Sequence, residues 1–530
     1  MKFQKRQYCF VLITFLLLVT QDMCGQIVQP ARFEKEQKGN DEPFTVISLE
    51  ENGIALLRET NDYTGNKRTW EIVVLDTALQ EKRTIEFAIE SRYPIAGYEV
   101  SDKNLYLLYR TGETNKNDFV LLDFDIQDST TWRRHEIKPE LDFKVTHFTS
   151  VSSSIVLGGY VSNDPTVLLY DMTTKSIKVV PGFFQKNNEL VDLRVNQNET
   201  FNVVLIDRSV RSERKLIFRT YDRMGSLLLD DVVAIGDDHS LHTGITSVLK
   251  REDLMIMGTW GEKQSKQALG FFALPVDPFS EQKIKYYHFG ELENFLNYLN
   301  PKREERIKTN TQEDLREGRR PSFGAYVVPY VIGENQDGFL MLAEVYQPLT
   351  NSPNPGPYGY PYYSNPYSYY NSFFPGYYPG MRMYRPYQYG NNVKNVNNIK
   401  TYQTALIAFD SQGNIKWDES IKLDDVEQSG LNQVGDFYVN NQSVVFLYKD
   451  ESDLKIRLID RTAGTSTDVT EQIKTLDPYD EIKNDKDSEG GVRFWTNNSF
   501  YVWGFQTLRN NTRKNNKTRE VFYINKIVVH

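Results

Sequence analysis

A run of apolar residues returns about every fifty positions along this 530-residue chain, and few architectures accommodate such a period. The run reads Ile54-Ala-Leu-Leu, Leu105-Tyr-Leu-Leu, Ile155-Val-Leu-Gly, Val203-Val-Leu-Ile, Leu254-Met-Ile-Met, Phe339-Leu-Met-Leu, Val444-Val-Phe-Leu and Phe500-Tyr-Val-Trp. Successive starts are 51, 50, 48, 51, 85, 105 and 56 residues apart. A short apolar stretch and a tight turn precede each run. A hairpin follows, its first strand often ending in aspartate: Asp76, Asp123, Asp171, Asp222, Asp410 and Asp460. Runs of this length, rich in β-branched and aromatic residues and divided by Gly, Asn, Asp and Ser, are strands and turns. Four strands per repeat is the blade of a β-propeller, so the expected fold is all-β with eight four-stranded blades, seven being the alternative.

The aspartates have a local task. A short carboxylate accepts hydrogen bonds from turn amides two residues on, and the glycines of Asp222-Arg-Met-Gly225 and Asp410-Ser-Gln-Gly413 tolerate a positive φ. They are read as turn residues, not metal ligands.

The two long intervals contain insertions. Residues 290–322 look helical: Leu292, Phe295, Leu296 and Leu299 share one face of a helix, and Asn300-Pro301 reads as the cap and first turn of a second one. Residues 347–400 form a Tyr/Pro/Asn/Gly-rich loop, dividing the sixth blade into 323–346 and the start of 401–530. Blades one to five occupy 43–289. The last repeat shows only three strands. Residues 26–42 precede the first repeat, and Ile27 to Phe33 is the candidate for the missing strand, with Pro30 confining it to an edge.

Thr404-Ala-Leu-Ile-Ala-Phe-Asp410-Ser-Gln-Gly413-Asn-Ile-Lys-Trp417 resembles the hairpin of quinoprotein-type propellers, and Tyr221 to Leu229 repeats it without the tryptophan. The resemblance covers about 14 residues and implies the fold class. It does not extend to the cofactor, because the vicinal cysteine pair of quinoprotein dehydrogenases is missing from the chain beyond residue 25.

Residues 1–25 read as a secretory signal, with Lys2, Lys5 and Arg6 ahead of the ten-residue apolar run Phe10 to Val19, too short to span a bilayer. Cleavage after Gly25 removes both cysteines, Cys9 and Cys24, and moves the formal charge from -9 to -11. An acidic, thiol-free mature chain suits an oxidising compartment and not a nucleic-acid-coating role. The expected location is exported: periplasmic, outer-membrane-associated or secreted, with no membrane span after cleavage.

Motifs for catalysis are missing. The sequence has no Gly-x-Ser-x-Gly elbow, phosphate-cradling glycine loop, His-Glu-x-x-His or EF-hand run. His239 and His242, beside Asp237 and Asp238, are read as part of an inter-strand loop. No catalytic residue, metal site or cofactor is assigned.

Aromatic residues make up 13% of the chain, and their excess is local. Residues 351–390 hold twelve of the 33 tyrosines and eight prolines, and residues 351–400 contain no Asp or Glu. Tyrosine offers a flat apolar face with a hydrogen-bonding tip and loses little entropy when fixed. Tyr362, Tyr363, Tyr369, Tyr370, Tyr377, Tyr378, Arg382 and Arg385 are therefore the candidate binding residues. The expectation is a non-enzymatic binding or scaffold module of a bacterial cell envelope, its partner a protein or a glycan. The alternative is a carbohydrate-binding or carbohydrate-active propeller.

Overall fold

The computed structural model describes residues 27–530 except 38–41, 102, 112–117, 128–130, 184–186, 208–213, 237, 248–252, 264, 278–281, 336–337, 350–397, 429–430, 486–489 and 514–516. The signal-like segment lies outside the described residues. Eight antiparallel sheets, each of consecutive strands except where the N-terminal strand joins the last, make an eight-bladed β-propeller. Every one of the eight apolar runs falls on the second strand of its blade: Ile54–Thr64, Asn104–Thr111, Ser154–Val161, Phe201–Asp207, Leu254–Gly261, Gly338–Leu349, Ser443–Asp450 and Ser499–Arg509.

These strands are apolar on both sides because both faces of their sheets are covered. In the fourth blade Val203, Val204, Leu205 and Ile206 are all buried: Val203 and Leu205 face a cluster shared with the third blade, Val204 and Ile206 one shared with the fifth. Alternation then separates two cores, not core from solvent, and the strand reads as an unbroken apolar run. Fourth strands lie at the edge of their sheets and can be polar throughout, as in Thr465–Gln472, where no residue is buried.

Two compact units divide the chain. One, Asn40–Val74 with Lys82–Asp436, contains the first six blades, joined by apolar clusters between each consecutive pair of sheets. The other contains Phe437–His530 and the N-terminal strand. In this second unit Ile27–Glu36 pairs antiparallel with Thr518–Val529 and becomes the outer strand of the eighth blade. The register slips between Val28 and Ala31, around Pro30, which has no N–H to donate. Gln29 uses the irregularity: its side chain donates to Gln472 O and accepts from Lys474 N and Asn525 Nδ2.

Buried charges fasten this strand. Arg519 grips Asp480 with both terminal nitrogens (2.8 and 2.6 Å) and also donates to Glu34 Oε2 at 3.0 Å. Glu34 Oε1 accepts from Arg32 Nε at 2.6 Å, while Arg32 also donates to Gln506 and Asn525 and lies 4.4 Å from the Tyr523 ring centre. Gln506 continues to Asp485, which Lys449 meets at 2.8 Å.

The turn aspartates behave as short acceptors. Asp76, Asp171, Asp222, Asp410 and Asp460 each take two turn N–H groups on Oδ1, at 2.7 to 3.0 Å. The amides of Thr174 and Thr173 hold Asp171 below the usual carboxylate range. In the second blade the structure corrects the assignment: Asp125 caps the turn, through Gln127 N. Asp123 is buried inside the strand, accepting from Asn104 and pairing with Arg133. Gly413 has φ +76°, and its turn packs on Ala273 and Pro275 of the fifth blade, where Tyr287 donates its hydroxyl to Gly413 O at 2.8 Å. The quinoprotein-like hairpin thus reaches its neighbouring blade through the turn.

The expected first helix of the 290–322 insertion does not form. Phe289–Glu291 makes a single 3-10 turn, and residues 292–299 follow as bends and turns. The apolar spacing still buries Leu292, Phe295 and Leu296. The backbone, however, is satisfied by distant side chains instead of by its own ladder: Asp418 accepts from Glu293 N and Asn294 N, Gln403 donates to Phe295 O, and Ser420 donates to Asn294 O. The second helix, α1, forms over Pro301–Arg316, with Asn300 Oδ1 capping Arg303 N and Pro301 in the first turn.

Removing Arg519 leaves the buried carboxylate of Asp480 without its cation and takes from Glu34 one of its two. Arg519→Met should therefore cost about 3–5 kcal/mol, read as a fall in the urea midpoint of the C-terminal unit. The Arg519 hydrogen bonds depress the pKa of Asp480, so its contribution is complete above the unfolded aspartate pKa of about 3.9 and is lost as pH falls through the lower folded value. The stability gap between wild type and Asp480→Asn should be constant from pH 5 to 7 and close below about pH 4.

Candidate functional site

The sixth blade carries both insertions at one end of its sheet. Its second, third and fourth strands run 12, 12 and 14 residues, Gly338–Leu349, Asn398–Phe409 and Ile415–Gln428. Leu349 pairs with Asn398, so residues 350–397 leave and return at adjacent positions. The first strand begins at the same end, Tyr326 opposite Tyr346, and brings in the chain from the helical insertion. The opposite end holds the paired residues Asn335 and Gly338 and the Asp410 turn.

This end is stiff. Asp418, buried in the fourth strand, receives the Glu293 and Asn294 amides at 2.8 and 2.7 Å, and its own carbonyl accepts from Asn294 Nδ2. Burial raises the Asp418 pKa, and the Asn294 and Glu293 amides oppose that rise. Phe295 stacks on Phe289 at 4.5 Å and meets the edge of Phe271 at 5.3 Å, seating the turns on the core between the fifth and sixth blades. Helix α1 buries only Ile307 and Thr311, and Lys308, paired with Glu304 within the helix, ties it to Glu293 O.

Around the stem of the long insertion stand four tyrosines. Tyr298 stacks on Tyr402 at 6.2 Å, and Tyr402 donates to Gln347 Oε1 at 3.2 Å while Lys400 Nζ lies 5.8 Å from its ring centre. Tyr326 packs against Tyr346 at 5.6 Å. Burial pushes the Tyr298 hydroxyl up to about 12, so it stays a neutral donor at any ordinary pH. Beneath them Glu344, fully buried, accepts on one oxygen from Thr404 Oγ1, Val434 N and Gly435 N, all at 2.9 Å. Flat rings with polar tips on a rigid base are suited to stacking and hydrogen bonding.

Tyr362, Tyr363, Tyr369, Tyr370, Tyr377, Tyr378, Arg382 and Arg385 lie outside the described residues. The structure brings together instead Tyr298, Tyr402 and Lys400, which flank the tyrosine-rich segment or sit in the other insertion. Lys400 and Tyr402 border that segment in sequence. Tyr298 carried no such signal, since its partner is 104 positions away. His239 and His242 do not converge: His239 stacks on Tyr286 at 4.0 Å, and His242 lies against Gly261. Among the described residues no group of three His, Cys, Asp or Glu is arranged to hold a metal ion.

No protein-family profile matches the sequence, and no curated protein matches it. Solved structures do. A polysaccharide lyase aligns over 96% of this chain and 94% of its own, with 10% identity and a TM-score of 0.36. A eukaryotic initiation factor aligns over 95% and 93%, at 11% identity and TM-score 0.36. Prolyl oligopeptidase B from Galerina marginata aligns over 57% of this chain and 38% of its own, at 12% identity and TM-score 0.32.

Asp418→Ala strips two amides of their acceptor and should cost about 2–3 kcal/mol. Proteolysis after Leu292, Phe295 and Leu296 should accelerate sharply, while the strand Gly338–Leu349 keeps its hydrogen-exchange protection.

Proposed function

We propose that this is an exported β-propeller of a bacterial cell envelope that acts as a binding or scaffold module and not through catalysis. The observation that carries the reading is the convergence of both insertions on one end of the sixth blade, where Tyr298, Tyr402 and Lys400 edge the stem of the tyrosine-rich segment. In propellers, function is grafted onto loops held by a rigid frame. The recognition element is segment 351–390, with Tyr362, Tyr363, Tyr369, Tyr370, Tyr377, Tyr378, Arg382 and Arg385 as its contact residues, and the partner is a protein. The signal-like start and the absence of cysteine beyond residue 25 support export, and among the described residues no helix is long and apolar enough to cross a membrane.

Affinity capture from envelope extracts tests the recognition element. The chain from Gln26 should retain a partner that is lost on deletion of 351–390 and weakened several-fold by Tyr402→Ala. Recovery of the same partners by all three proteins would remove the segment from the site. Retention of envelope glycans but no protein would favour the carbohydrate-binding alternative. N-terminal sequencing of the protein from its native host should begin at Gln26, and a chain still starting at Met1 would overturn export by this signal.

A further inference from the structure

The outer strand of the fourth blade, Leu227–Ala234, pairs only with Lys215–Tyr221 among the described residues, leaving one row of backbone N–H and C=O groups at an open edge. Edge strands are ordinarily blunted by lysine, proline or charge. This one reads LLLDDVVA, with neither lysine nor proline, and its only charges are Asp230 and Asp231 at the middle. Leu227, Leu228 and Val232 are 46, 60 and 54% exposed, and Met224, in the turn ahead of the strand, is 59% exposed. Four of the ten large exposed hydrophobic residues described thus fall between positions 224 and 232.

At the end of this strand opens a cavity of about 690 Å³, walled by Asp231, Ile235, His239, Lys283, Ile284 and Tyr286. The aromatic wall is held, because Tyr286 donates to Ile235 O at 2.7 Å and its ring packs against both His239 and the buried Trp260. Asp230 is neutralised by Arg219 at 2.8 Å. Asp231 is not: its Oδ2 accepts from the neutral amide of Gln282 at 2.7 Å, and it forms no ion pair among the described residues. A carboxylate in a wall that also presents Ile284 and Tyr286 gains most from a cation that brings its own aliphatic stem.

We propose that this edge is the docking site for an extended segment of a partner protein. The segment adds to the fourth blade as a fifth strand and places a lysine or arginine in the cavity, its stem along Ile284 and Tyr286 and its charged head on Asp231. Main-chain hydrogen bonds supply affinity and the alternate side chains supply selectivity, as in other strand-addition complexes. A second copy of this strand does not fit as occupant. Antiparallel self-pairing about the strand's midpoint sets Asp230 of each copy opposite Asp231 of the other, and like charges directly opposed destabilise a pair. The surface is separate from the tyrosine-edged end of the sixth blade.

The test uses the full chain from Gln26 and octapeptides of alternating Val and Thr with Lys, Arg, Gln or Glu at a central position. Isothermal titration should show the Lys and Arg peptides binding at least tenfold more tightly than the Glu peptide, with Asp231→Asn erasing most of that difference. Hydrogen exchange should slow at 227–234 on binding and stay unchanged at 465–472. Equal binding of Lys and Glu peptides, or no protection at 227–234, would overturn the proposal. So would a concentration-dependent dimer in sedimentation that Leu228→Lys abolishes, since a second copy would then cover the edge.

Discussion

The pairing of Ile27–Glu36 with Thr518–Val529 is the constraint on which the eighth blade depends. Without it Thr518–Val529, which carries buried Phe522, Tyr523 and Ile524, would be the open edge of its sheet. Apolar contact alone does not specify this pairing, since any strand of similar pattern would bury comparable area. Specificity comes from charge. Arg32, Glu34, Asp480 and Arg519 complete one another's hydrogen bonding only when the N-terminal strand occupies this register. A slip by one residue would turn Glu34 to the other face and leave Arg519 with a single partner. Gln29 and Asn525 meet across 496 residues of sequence, so the first strand to be synthesised waits for the last before it finds its place.

The blade count was legible because second strands are buried on both faces, which writes an uninterrupted apolar signature such as Val203 to Ile206. Outer strands obey no such rule, and their boundaries emerged only from the pairing. Local spacing misled where distant groups intervened. Leu292 to Leu299 has the periodicity of a helix and buries the residues a helix would bury, yet Asp418, Gln403 and Ser420, more than a hundred residues on, satisfy the backbone in another conformation. Asp123 and Asp125 illustrate a finer limit. Both end a strand-like run, and only the register of the hairpin decides which meets the turn and which meets Arg133.

The candidate site was half legible. Composition located the tyrosine-rich segment, but the residues that frame its stem come from three places in the chain. Tyr298 reaches Tyr402 because the insertion before it is pinned down by the fourth strand of the same blade. Pairing of this kind depends on tertiary closure, and neither residue type nor spacing announces it.

The pairing of Leu349 with Asn398 has one more consequence. Once two strand ends are held side by side, lengthening the chain between them is thermodynamically cheap, about 0.6 kcal/mol for each doubling. The blade therefore exerts almost no pressure on the size of what it carries. Segments of half or twice the length could be exchanged at this position with the frame intact, and whatever selects some fifty residues rich in tyrosine and free of acid acts from outside the fold.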